Sequence, residues 1–132
     1  MSGAMNYHWG EKRLQRLFER YNRKHWRGRL PHYRIVPTAL ECLGQCHHRK
    51  RIIEIDPNRH ESDRRVRATL LHEMAHAAAP GRGQGLEFFA EMERLLRRGA
   101  LVTIETGDLG GVRILDDIVP RCRVSHGIYP RA

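Results

Sequence analysis

The sequence predicts a small α+β domain. Three observations predict it. Apolar residues recur at helical spacing in three separate segments. Short strand-like runs lie between the first and second of these, and after the third. The length, 132 residues, suits a single domain.

Residues 11–26 form the first expected helix. Leu14, Leu17, Phe18 and Tyr21 follow 3.6-residue spacing, arginines fill the opposite face, and Gly28 and Pro31 end it. Strands are expected at 33–36 ahead of Pro37, at 39–46, and at 51–55, where Asp56-Pro57-Asn58 closes the run. A second helix is expected over 62–79. Ser62 is its N-cap, Asp63 an acid in its first turn, and Val66, Leu70, Met74 and Ala77 its apolar face; Pro80-Gly81 stops it. A third helix is expected over 85–98, with Phe88, Phe89, Met92, Leu95 and Leu96 as core stripe. Glu93 and Arg97 form an i, i+4 pair there, and Gly99 takes the C′ position. Two β-like stretches, 101–105 and 112–115, flank a Gly107-Asp108…Gly110-Gly111 turn. No internal repeat, linker or low-complexity block appears. Residues 6–132 read as one domain, and residues 1–5 as a cloning remnant before a second start methionine.

An apolar fraction of 40% suffices for one core. No run of 18 apolar residues suggests a transmembrane helix, and the first residues lack the apolar stretch of a signal peptide. Three cysteines, an odd number, argue against a disulfide framework and fit a reducing, cytoplasmic (or nucleoid-associated) setting. The net charge is +9, and residues 1–34 carry +7 of it, nine Lys or Arg against Glu11 and Glu19. Arg13, Arg16, Arg20, Arg23, Lys24 and Arg27 on the first helix are therefore candidate nucleic-acid contacts. The alternative is a solvated face that aids solubility. Trp9 and Trp26, flanked by basic residues, could stack on unpaired bases, although Trp26 also suits the core at the end of the first helix.

The chemistry is concentrated in His72-Glu73-Met74-Ala75-His76, an H-E-x-x-H between Leu70-Leu71 and Ala77-Ala78-Ala79. Histidines four apart share one helix face, about 6 Å along the axis, so both imidazoles can reach one metal ion. Glu73 can act as the carboxylate base beside an activated water, the zinc-metallopeptidase arrangement. The alternative is a pair of surface or core histidines on an ordinary amphipathic helix.

Further pieces occur in order along the chain. They are Tyr21-Asn22, Trp26-x-Gly28-x-Leu30-Pro31, Leu43-Gly44, Arg51-Ile52-Ile53-Glu54-Ile55, Leu70 to Ala77, and Gly83-Gln84-Gly85-Leu86-Glu87-Phe88. In this combination the chain resembles the SprT-like (WLM/Spartan-type) zinc metalloproteases. H-E-x-x-H is shared by many unrelated proteases; the upstream pieces point to this family. The resemblance implies a small zincin-like fold, a bound Zn2+, a protein or peptide substrate, and a role near DNA, since family members cleave proteins crosslinked to DNA. No membrane partner is expected.

A catalytic zinc takes three protein ligands and leaves a position for water. The family supplies the third from His-Gly-x-x-Phe/Trp, and here that histidine is replaced by Gln84. An amide oxygen is a poor zinc ligand beside imidazole or carboxylate. Three outcomes are open. Gln84 coordinates weakly or through water; a carboxylate takes over, with Glu87 at i+3 nearest and Glu91 about 10 Å further on; or the site holds metal poorly and the protein is a binding module. Glu87 also reads as a solvent-facing acid near Arg94. His126 is a remote candidate that requires the tail to fold back.

Two other constellations carry reactive residue types. Cys42-x-x-x-Cys46-His47-His48 carries metal-ligand residue types, but lacks zinc-knuckle spacing and reads better as buried strand residues followed by a hairpin turn. A Cys–His nucleophilic dyad has no marker in the sequence. The function expected is therefore a zinc-dependent endopeptidase, with His72 and His76 on the metal and Glu73 as general base. A catalytically inactive module of the same fold that binds nucleic acid or protein is the alternative, and a structural-metal DNA-binding domain a weaker third.

Overall fold

A computed structural model describes residues 7–80, 84–100, 104–105 and 118–119. The order is a 3₁₀ turn (Tyr7–Trp9), α1 (Glu11–Trp26), β1 (Arg34–Pro37), β2 (Gly44–His47), β3 (Ile52–Ile55), a 3₁₀ turn (Pro57–Arg59), α2 (Asp63–Ala78), α3 (Gln84–Arg97), β4 (Ile104–Glu105) and β5 (Ile118–Val119). The α+β class expected from the sequence is found, N-terminal helix first.

α1 exists because Leu14, Leu17 and Phe18 bury one stripe while charged residues take the other face. Its end is built by Arg27 and Gly28, both at positive φ (55° and 76°). Gly28 adopts that conformation without a Cβ penalty. Asn22 then clamps the loop: its amide nitrogen donates to the Leu30 carbonyl and its oxygen accepts from the Leu30 N–H.

The three-stranded sheet has the order β1-β3-β2, with β1 parallel and β2 antiparallel to β3. Gln15 on α1 fixes the outer side of β1. Its Nε2 donates to the Tyr33 carbonyl (2.9 Å) and its Oε1 accepts from the Ile35 N–H (3.0 Å). The expected strand over 39–46 is shorter, Gly44–His47, and the reason is Asp56. Its buried carboxylate accepts from Leu40 N (2.8 Å) while its own N–H donates to Leu43 O (2.9 Å), folding the chain before Gly44 into a loop.

α2 packs on β2 and β3, and α3 packs on α2. The Ser62 hydroxyl caps α2 by accepting from Arg65 N. Leu14, Phe18, Ile35, Ile53, Ile55, Leu70, Met74, Phe88, Met92 and Leu95 all join one core cluster. Leu96, expected in the α3 stripe, is instead exposed; it lies one position past Leu95, beyond the edge of the buried face. β4 pairs in parallel with β5, a partner whose sequence carries no clear strand pattern. The expected strand over 112–115 lies outside the described residues. Cys42 is disulfide-bonded, against the expectation of reduced thiols, whereas Cys46 is free and buried; an odd count leaves one thiol over without forbidding a bridge. Among the described residues no helix is long and apolar enough to cross a membrane.

Gly44 sets the distance between sheet and motif helix. A Cβ there would lie 3.0 Å from Glu54 O, 3.1 Å from Thr69 Cγ2 and 3.3 Å from Ile55 Cδ1. Gly44→Ala is expected to destabilise by about 1–3 kcal/mol through overpacking, read as a lower urea midpoint at unchanged slope.

A second expectation concerns pH. Burial first, then the charges of Arg98, Lys24 and Arg94, pull the His25 pKa down to about 4. The unfolded chain titrates near 6.5 and so takes the proton first as the pH falls. The stabilisation is complete above about pH 6.5 and is lost as pH falls through about 4, an effect of about 1–2 kcal/mol given the cavities that open onto the ring. Urea midpoints measured from pH 7 to pH 4 should fall, and His25→Gln should flatten that slope; an unchanged slope in the variant would assign the effect to other groups.

Candidate metal centre

α2 carries the H-E-x-x-H residues into the core. His72, Glu73 and His76 are each only 1% exposed. The two imidazoles lie one turn apart on one face, with ring centroids 5.0 Å apart and planes at 65°. Phe88 of α3 forms a wall over both. Its ring stacks on His76 at 3.8 Å, nearly parallel at 4°, and meets His72 edge-on at 5.2 Å. This packing restricts both imidazole rings in orientation.

Glu73 faces toward β2. Burial first, and the Glu73 charge next, hold the Cys46 thiol well above its usual pKa. Cys46 Sγ lies 3.9 Å from His48 Nδ1, so the structure does bring a cysteine to a histidine, but a buried thiol held protonated is no activated nucleophile. Tyr33 OH lies 3.1 Å from the same His48 Nδ1. Burial, then Cys46, push the phenol pKa up, so it stays neutral. Tyr33 and His48 line a cavity of about 530 Å³ beside the C-terminal end of α2, bordered also by Trp26, Arg51 and Ala77. Sequence reasoning did not mark Tyr33 or Cys46 as neighbours of the motif. The one available signal is that Tyr33 and Ile35, two apart, share the buried side of β1.

The third-ligand candidates are dispersed. Gln84 opens α3, and its side chain lies outside the described residues, as does His126. Glu87 is exposed. Glu91 is occupied elsewhere, accepting from Trp26 Nε1 (2.9 Å) and pairing with Arg94 (3.0 Å). Among the described residues no three His, Cys, Asp or Glu side chains converge on a point where a metal could sit. The donor set thus fits two of the three protein positions of a catalytic zinc, both imidazole. The Cys42–His48 segment forms no metal cluster either: Cys42 is disulfide-bonded, His47 bonds to Glu54 (2.8 Å), and His48 meets Tyr33.

The basic residues of α1 divide. Arg13 is committed to structure: it sits 3.8 Å over the Trp9 ring, donates to His8 O and lies 3.7 Å from Asp63. Arg16, Arg20, Arg23, Lys24 and Arg27 are exposed. The two tryptophans do not offer stacking faces. Trp9 is 1% exposed and its N–H donates to Asp63; Trp26 is 7% exposed and its N–H is held by Glu91. Amphipathic packing and a carboxylate partner for each indole draw both rings inward.

The model of the SprT-like family matches residues 14–105 of the chain. No curated protein and no solved structure matches it.

Proposed function

The chain belongs to the SprT-like family, and we propose on that premise that it is a zinc-dependent endopeptidase acting on DNA-associated proteins in the cytoplasm or nucleoid. The observation that carries the proposal is the burial of His72 and His76, one turn apart on α2, with Glu73 beside them. An ordinary core helix gains nothing from three polar side chains at 1% exposure, since burying such groups costs free energy.

His72 and His76 would hold the metal. Zinc, when bound, would supply Lewis-acid polarisation of the scissile carbonyl and lower the pKa of a water. Glu73 would take a proton from the attacking water on a carboxylate oxygen and deliver it to the departing amide nitrogen, so that water is added across the peptide bond. Phe88 keeps both imidazoles in register. Two observations favour β2 as the strand along which a substrate peptide would lie. It is the edge strand packed on α2, and the outer side of β1 is already occupied by Gln15. The cavity lined by Tyr33 and His48 would then take a substrate side chain.

A second reading has its own observation. Position 84 holds Gln where the family pattern has His, and no described acid joins the histidines. A module that has lost firm metal binding and retains partner binding fits that fact.

Zinc per chain, measured by elemental analysis on protein purified without chelator, separates the two. Near one zinc per chain, lost in His72→Ala, is the outcome expected of the peptidase; little zinc at micromolar supply favours the module. For the chemistry, Glu73→Gln should lower cleavage of a protein substrate by about 10²-fold or more while zinc content is retained. Undiminished cleavage in that variant would remove Glu73 from its role.

A further inference from the structure

A second cavity, of about 240 Å³, lies where the three main helices meet. Lys24 of α1, Arg64 and Arg67 of α2, and Arg98 just past α3 all line it. No Asp or Glu does. Arg98 is held in place by neutral acceptors: its Nε donates to His25 Nδ1 (3.0 Å) and its Nη2 to Lys24 O (2.7 Å). Because His25 Nδ1 accepts, the imidazole proton is on Nε2, which is a donor. Tyr21 adds a phenol at the same wall.

Several cations elsewhere in the chain are already neutralised. Arg13, Arg34, Arg59, Arg94 and Arg97 each have a carboxylate within 4 Å. None of Lys24, Arg64, Arg67 and Arg98 makes an ion pair with a described carboxylate, although Arg67 also lies 5.6 Å over the Trp9 ring. Four cations, from α1, α2 and the residue after α3, surround one concavity and repel one another unless an anion enters. The cavity is smaller than the usual drug-sized site, so it suits a compact group rather than a flat organic molecule. Cations arriving from several directions, two or more of them guanidinium forks, match the several oxygens and double charge of a phosphate better than a single planar carboxylate.

We propose that this three-helix cavity is a binding site for a phosphate group, carried by a nucleic-acid backbone or by a small phosphorylated molecule. Only Lys24 belongs to the set expected on α1; Arg64, Arg67 and Arg98 come from elsewhere in the chain, and folding brings them together. The lowered pKa of His25, caused by burial and by Arg98 and Lys24, reports the same positive field from within the wall. The cavity also touches α2 at Ala68 and Leu71, one residue before His72. A phosphate held there would sit beside the motif helix. The site does not depend on the metal centre, and its test needs no peptidase activity.

The experiment uses the full chain and two probes, inorganic pyrophosphate followed by calorimetry and a labelled single-stranded 12-nucleotide DNA followed by anisotropy. Lys24 and Arg64 are exposed and make no described side-chain bond, so Lys24→Gln with Arg64→Gln removes charge without disturbing the fold. Arg49→Gln with Lys50→Gln, on the exposed β2–β3 turn, is the charge-matched control. The expected result is about tenfold or greater weakening of at least one probe in the cavity variant and less than about twofold in the control. In the unaltered protein, pyrophosphate should shift the His25 ring resonances. Binding of pyrophosphate alone would identify a small phosphorylated ligand; tighter, salt-sensitive binding of the DNA would identify a backbone phosphate. Equal weakening in both variants, failure of both probes to bind, or equally tight binding of polyglutamate would overturn the proposal.

Discussion

The contact on which the structure depends is the approach of β2 to α2 at Gly44. Only hydrogen fits between this backbone, Glu54 O and the Thr69 methyl. The approach is locked from the other side by His60, whose Nδ1 donates to Asp56 O while its Nε2 accepts from Thr69 Oγ1, both at 2.8 Å. With the sheet on one side and α3 on another, α2 has no solvent face from Ala68 to Ala77. It must then be apolar nearly all round. Four polar residues break that rule there: Thr69, His72, Glu73 and His76. Thr69 is explained by His60. The other three are the H-E-x-x-H residues, and their burial is what supports the proposed metal site.

The remaining elements hold this arrangement in position through a few polar clamps. Gln15 fastens β1 to α1, Asn22 fastens the loop after α1, and Asp56 gathers the loop before β2. Each satisfies buried backbone groups that the short strands leave over. Charge is similarly divided. Most basic side chains at element ends are spent on ion pairs or on aromatic faces, as Arg13 on Trp9 and Arg94 on Trp26. Lys24, Arg64, Arg67 and Arg98 instead line the concavity at the junction of the three helices, where the proposed anion would offset their mutual repulsion.

Much of this was legible in the sequence, where the determinants are local. The helix expected over 11–26 is Glu11–Trp26, and those expected over 62–79 and 85–98 are Asp63–Ala78 and Gln84–Arg97. Apolar periodicity, the Ser62 cap and the Gly and Pro stops act within a few residues, so they can be read directly. The strand over 39–46 was not legible, because its first half is taken apart by a carboxylate 16 residues downstream. The motif histidines follow from their spacing alone, whereas Tyr33, Cys46 and Gly44 become neighbours of the site only through sheet register. The tryptophans illustrate the opposite error. Basic flanks suggested base stacking, but each indole has a distant carboxylate partner, Asp63 or Glu91, invisible in the linear pattern.

The donor set around the proposed centre limits how firmly it would retain zinc. Phe88 stacks on His76 and meets His72 edge-on, so α3 docks against the histidine pair through this ring. Position 84, where the family pattern places a histidine, lies four residues before Phe88 in the sequence. The acids further along α3 do not stand in for it. Glu87 is exposed, and Glu91 spends its carboxylate on the Trp26 indole and on Arg94, a structural task it could leave only by freeing a buried N–H. The described donors are therefore two imidazoles, and any third from position 84 is a neutral amide. Such a set binds zinc less tightly than three imidazoles, because an amide oxygen is the weaker donor. Glu73 is untouched by this deficit. On the proposed peptidase reading, Glu73 would remain available to activate water while the metal would be held more loosely than by three imidazoles, so metal supply would govern how much of the protein could act.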